Sequence, residues 1–209
     1  PSLVAAVTSD LVGQGVHAGQ LVKEVDALGG EMAKITDKTA IQYKTLNTKK
    51  GPAVQSTRTQ NDKARYHAAM KNTLERTPGL DLKQAMIECL VVEDGRVAGV
   101  TDTTGFSYEC RAVILATGTF LSGLVHIGDR SIRAGRAGEF ASYALPENLR
   151  ELGFDMGRMK TGTPPRLHRA TIDFSRFECQ ERQGDPCPFS FFTRQVHLPH
   201  QPSYIGHTS

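Results

Sequence analysis

Residues 111–123 read RAVILATGTFLSG. One charged residue leads into Ala112, Val113, Ile114 and Leu115, and the run stops on Ala116, Thr117 and Gly118. Such a run predicts a strand apolar enough to be buried on both faces, as strands of parallel sheets are. Small residues at its end allow another backbone, or a flat ligand, to come close. In open α/β sheets ligands bind beyond the carboxyl ends of strands. A buried strand capped by a tight turn, with no ligand, satisfies the same local pattern, and both readings stay open at this point.

Upstream, LDLKQA, MIECLVVED and RVAGVTD read as short strands leading into FSYECRAVILAT. Asp94-Gly95 and Thr104-Gly105 mark turns between them. The result is a small antiparallel meander running straight into the quoted strand. Nearer the N-terminus, residues 19–34 carry Leu21, Val22, Val25, Leu28 and Met32 near one face at a helical period. That predicts a helix interrupted at Gly29-Gly30. IQYKTLN (41–47) reads as a strand and GPAVQSTRTQ (51–60) as a loop. A second helix is expected over 61–76, with Ala64, Ala68 and Leu74 inward, stopping before Pro78-Gly79. Another is expected at about 141–152, where Ser142 could serve as an N-cap. The glycine loop GQGVHAG (Gly13, Gly15, Gly19) departs from the G-x-G-x-x-G spacing of a dinucleotide fingerprint, and a plain turn before a helix explains it equally well.

Composition sets limits. The 209 residues are 39% hydrophobic, enough for one or two packed domains. No apolar run approaches the roughly 20 residues of a membrane helix, and no secretory signal is visible. The start at Pro1 rather than Met reads as a segment of a longer protein. A net charge of +3 does not by itself argue for nucleic acid. Cys89, Cys110, Cys179 and Cys187 form no C-x-x-C pair, so free thiols are expected rather than a metal site. Among the histidines, His126 follows the ATG turn and reads as an ordinary hydrogen-bonded residue.

Several blocks in order resemble one family: GQLVKEVDALGGEMAK, IQYKTLNTKKGPAVQSTRTQND, GTFLSGLVHIG, AGRAGE, and GRMKTGTPPRL with IDFS. The family is GidA, also called MnmG, the FAD-dependent large subunit of a tRNA wobble-uridine 5-carboxymethylaminomethyl-modifying enzyme. The resemblance runs from about residue 15 to 209. It implies an α/β fold: part of an FAD-binding Rossmann-type domain with its antiparallel meander (1–145), and part of an inserted α+β domain (146–209). It implies FAD as cofactor, NADH as reductant and tRNA as substrate. It also implies an MnmE-type GTPase as partner, a homodimer within a heterotetramer, and a cytoplasmic or mitochondrial setting. Carried over by position, Ile87, Thr117, Gly118, Thr119 and Ser142 are cofactor-binding candidates, and Arg58, Lys160 and Arg166 are candidates for nucleic acid or phosphate.

The departures concern catalysis. Where the family has a cysteine before the first helix, this chain has Ser9; where the family has a lysine before Gly19, it has Ala18. In QPSYIGHTS, Ser203 stands where many members have cysteine. A hydroxyl is a much weaker nucleophile than a thiolate at neutral pH, so no catalytic residue is assigned. A catalytically inactive dinucleotide- or RNA-binding module, and another FAD oxidoreductase with two dinucleotide folds, remain the alternatives.

Overall fold

The structure is a computed structural model. It describes the backbone of residues 2–5 and 16–18 and, in full, residues 19–162, 167–180, 187–196 and 201–207. The Gly13–Gly15 loop, Ser9, Arg166, His197 and His200 lie outside the described residues, as does the side chain of Ala18. The elements in chain order are β1 (Ser2–Ala5), α1 (Val16–Ala27), α2 (Met32–Thr39), β2 (Ala40–Leu46), β3 (Ser56–Asn61), α3 (Lys63–Glu75), β4 (Ile87–Glu93), β5 (Arg96–Asp102), β6 (Ser107–Ile114), β7 (Leu124–Ile127), β8 (Arg130–Arg133), α4 (Ala144–Glu151), β9 (Glu178–Gln180) and β10 (Ser203–Ile205). The chain divides into two compact units, Pro1–Asp10 with Lys83–Thr163, and Leu11–Leu82 with Pro164–Ser209. This division by contacts differs from one at residue 145: residues 146–163 stay with the meander, and 164–209 fold with 11–82.

The first unit is built on a four-stranded sheet in the order β1-β6-β5-β4. The meander strands are antiparallel, and β1 joins β6 in parallel. At the β4–β5 turn Asp94 and Gly95 have φ of 50° and 74°, the pair of left-handed residues that a two-residue hairpin demands. Helix α4 packs on β4 and buries Leu145, Pro146 and Leu149, while the Asn148 side-chain oxygen accepts from the Leu90 N–H at 2.8 Å. The expectation that β6 is buried on both faces fails. Ile114 is 52% and Leu115 40% exposed. Covering both faces of a parallel strand needs a helical layer on each, and among the described residues of this unit α4 is the one α-helix, seated on β4.

Asp102, at the end of β5, organises the next turn. Its carboxylate is buried and accepts from the Thr104 N–H and hydroxyl, the Phe106 N–H and the Tyr108 hydroxyl. The Thr104 hydroxyl first, then the Thr104 and Phe106 amides and the Tyr108 hydroxyl, hold this carboxyl below its usual range, against burial that pushes it up. A depressed folded value contributes stability above the unfolded value of about 4, lost as pH falls through the folded one. Asp102→Asn is therefore expected to be less stable at pH 7 and to show a flatter loss of stability below about pH 4; urea melts at a series of pH values check both.

The second unit holds the three remaining helices with the β2–β3 and β9–β10 ladders. Helix α1 ends where the glycines predicted: Gly29 has φ 91°, its N–H reaches the Asp26 carbonyl and the Gly30 N–H reaches Val25, the bonding of a Schellman cap. Its buried side meets the apolar face read from the sequence only at Val22. Leu21, Val25 and Leu28 are exposed, and the inward positions are Gly19, Val22, Lys23 and Asp26. A Cβ on Gly19 would run into the Ser56 side chain and lie 2.9 Å from the Thr57 carbonyl oxygen, so the glycine lets α1 seat closely on β3. Helix α3 spans the predicted stretch, capped by Asp62 accepting from the Arg65 N–H, but Ala64 and Ala68 face solvent and its half-buried side is Tyr66, Ala69, Met70, Thr73 and Leu74. Residues 56–60, expected as loop, and Asn61, expected to open the second helix, form β3 against β2; Thr57 and Thr59 supply the β-branched residues such a polar strand needs.

Candidate functional site

The small-residue stretch does sit beyond the carboxyl end of β6, in the first unit. After Ile114 the chain runs extended to Thr117, and a turn follows in which the Phe120 N–H bonds the Thr117 carbonyl at 3.1 Å and Gly118 takes φ 55°. Residues 120–122 then run beside Ser142: its N–H donates to Phe120 and its carbonyl accepts from Ser122, at 2.9 and 2.8 Å. Between them projects the β7–β8 hairpin, where the His126 ring bonds the Ser131 hydroxyl at 2.9 Å. Its polar, arginine-rich second strand is what hid it from the pattern. The base of the hairpin is tied down by Thr119 Oγ1 donating to the Gly135 carbonyl (2.6 Å) and the Tyr143 hydroxyl donating to the Gly123 carbonyl (3.0 Å). Arg133 stacks 4.3 Å from the Tyr143 ring, Arg136 pairs with Glu139, and Arg158 donates to the Ser122 carbonyl. Three arginines of this basic region are thus engaged within the fold.

The candidates for the cofactor divide by what their polar atoms already do. Gly118 and Ala116 are exposed. The hydroxyls of half-buried Thr117 and Ser142 make no hydrogen bond among the described residues, and Ser142 does not cap α4, whose N-cap is Tyr143. The Thr119 hydroxyl is occupied by Gly135. Thr117, Gly118 and Ser142 are thus the candidates whose hydroxyl or backbone lies at the surface of this turn, and Thr119 ties the turn to Gly135. Ile87 is elsewhere: β4 runs parallel to β6 with β5 between them, and Ile87 pairs with Asp102 at the level of the start of β6. It lies two strands away and at the opposite end of the sheet.

Of the three anion candidates, Lys160 is exposed on the extended stretch after α4 in the first unit, and Arg58 is on β3 in the second, directly opposite Lys44. Arg166 lies outside the described residues. Among the described residues no cluster of three or more histidine, cysteine or acidic side chains could hold a metal, and no helix is long and apolar enough to cross a membrane.

A protein of Syntrophobacter fumaroxidans named tRNA uridine 5-carboxymethylaminomethyl modification enzyme MnmG is 61% identical over 194 residues, which is 93% of this chain and 30% of that protein. The protein of the same name from Thermodesulfovibrio yellowstonii is 51% identical over 93% of this chain and 31% of its own length. Two crystal forms of Aquifex aeolicus GidA superpose with TM-scores of 0.83 and 0.85 at 42% and 40% identity, covering 91% and 97% of this chain and 33% and 36% of theirs. The chain therefore spans about a third of the length of its relatives. The family model for glucose inhibited division protein A matches residues 4–209, and the chain belongs to that GIDA family.

Proposed function

We propose that this chain is part of a flavin-dependent enzyme that modifies the wobble uridine of tRNA at C5, installing the carboxymethylaminomethyl group. The observation that carries the reading is the 61% identity, over nearly the whole chain, to a protein bearing that name. The turn after β6 supports it, because a parallel strand ending in small residues, with the Thr117 and Ser142 hydroxyls making no hydrogen bond among the described residues, suits the edge of a flat cofactor. In this reading Thr117, Gly118 and Ser142 would hold FAD, with the two hydroxyls donating to it; when bound, FAD would supply redox chemistry, with NADH as the reductant. Arg58, Lys160 and Arg166 serve tRNA or cofactor phosphates, a GTPase of the MnmE type is the partner of a homodimer, and the setting is a cytoplasm.

The test is absorbance near 450 nm after incubation with FAD and desalting. A retained flavin band is expected, and Ser142→Ala should weaken flavin affinity by about three- to tenfold, the loss of one neutral hydrogen bond. A chain that stays colourless with excess FAD, or a Ser142→Ala variant that binds as the parent does, counts against the placement.

A further inference from the structure

A second polar site lies in the other unit, on one face of the β2–β3 ladder. Its register puts Gln42 opposite Gln60 and Lys44 opposite Arg58. Two residues apart on each strand, all four side chains share one face, and they line a cleft of about 270 Å³ completed by Gln180 of β9 and Ser203 of β10. Like charges directly across a ladder repel and destabilise it. Here the repulsion has little to relieve it. Lys44 donates to one neutral acceptor, Gln180 Oε1, at 3.2 Å, and Arg58 has no carboxylate partner among the described residues. Among the described residues no aspartate or glutamate lines the cleft. Gln42 is 8% exposed, yet its side chain borders this space.

We propose that the cleft is a phosphate-binding site. A guanidinium and an ammonium facing each other across a ladder give a bridging pair for phosphate oxygens, the guanidinium offering a fork and the ammonium a point charge. The glutamine pair and the Ser203 hydroxyl then hold the polar group the phosphate carries, since amides both donate and accept. The phosphate comes from a dinucleotide or from an RNA backbone, and the site does not depend on the flavin edge of the first unit.

Calorimetric titration of the full chain at low salt tests it, with pyrophosphate, NADH and a short single-stranded RNA as three separate probes. At least one probe is expected to bind, and Arg58→Thr and Lys44→Gln should each weaken the tightest of them by about tenfold or more, as loss of a charge-assisted hydrogen bond does. If RNA is the tightest, the slope of log K against log salt should also shrink by about 0.7 for each variant. The ranking of the probes identifies the source of the phosphate. Without ligand, both variants should melt at or above the parent, because the repulsion is gone. Failure of all three probes to bind, unchanged affinity in both variants, or ligand-free variants melting well below the parent would each overturn the proposal.

Discussion

Asp37→Ala is expected to lower the melting temperature by about 10 °C. Asp37 is 4% exposed and its carboxylate accepts from the Phe189 N–H (2.7 Å), the Ser190 N–H (2.9 Å) and the Tyr43 hydroxyl (2.8 Å). Truncation strands two amides and a phenol in a dry site. At about 1–3 kcal/mol for each unsatisfied group, partly relaxed, the total is about 4 kcal/mol, and a chain of this size loses about 2–4 °C per kcal/mol. The neighbouring carboxylate does similar work: Asp26, 1% exposed, accepts from the Ser190 hydroxyl and the Phe191 N–H, both at 2.8 Å. Both carboxylates pin residues 189–191 to the first two helices, and Lys23 and Lys34 lie within 6 Å of the Phe189, Phe191 and Phe192 rings. Because the two aspartates hold one segment, Asp26→Ala combined with Asp37→Ala should cost less than the sum of the two. Asp37→Asn keeps one acceptor oxygen and should fall between parent and alanine. Thermal denaturation, with limited proteolysis at 187–196, reads this out; an alanine variant melting within 2 °C of the parent would show that the pin contributes nothing.

The same site leaves an alkaline signature. Burial, then the hydrogen bond to Asp37 and its charge, raise the Tyr43 phenol above its usual value. A raised folded value contributes stability that is present below the unfolded value of about 10 and is lost as pH rises beyond it.

Gly123→Ala should cost about 3 kcal/mol, the upper end of overpacking penalties. A Cβ there would meet the Ala134 carbonyl, lie 2.7 Å from the Thr119 carbonyl oxygen and lie 2.9 Å from the Gly135 Cα. All three are backbone, so no side chain can swing away. They also belong to the base of the β7–β8 hairpin, where Thr119 bonds Gly135 and residues 120–122 bond Ser142. The variant is expected to lose about 6–12 °C and to lose flavin binding more than Ser142→Ala does, since it moves the turn rather than one hydroxyl. Near-parental melting together with unchanged flavin affinity would mean the turn shifts without consequence. Gly135 is a softer case: its Cβ would strike the Phe120 ring, which has some freedom to move.

The features legible in the sequence are those a few neighbouring residues decide. Asp94-Gly95 makes its hairpin and Gly29-Gly30 ends its helix because glycine enters left-handed backbone without a Cβ penalty. The stop of α3 before Pro78 and the family blocks from GQLVKEVDALGGEMAK onward are equally local or equally literal. The amphipathic face of α1 was misread because burial there is settled at a distance. Gly19 admits β3, and Asp26 finds its donors 164 and 165 residues further along the chain. Apolar spacing alone then points Leu21, Val25 and Leu28 the wrong way. β3 was hidden because a strand of polar residues looks like a loop until its partner is in place.

Composition and motif order by themselves determined an α/β chain, its family and the turn of small residues after β6. Tertiary structure alone decided which carboxylates are buried, that Thr119 braces the turn while Ser142 keeps its hydroxyl unengaged, that Ile87 stands at the far end of the sheet, and that Lys44 faces Arg58. The physical reason is that ladder register and helix seating are set by contacts between segments far apart in the chain, and side-chain type constrains those only after the segments have met.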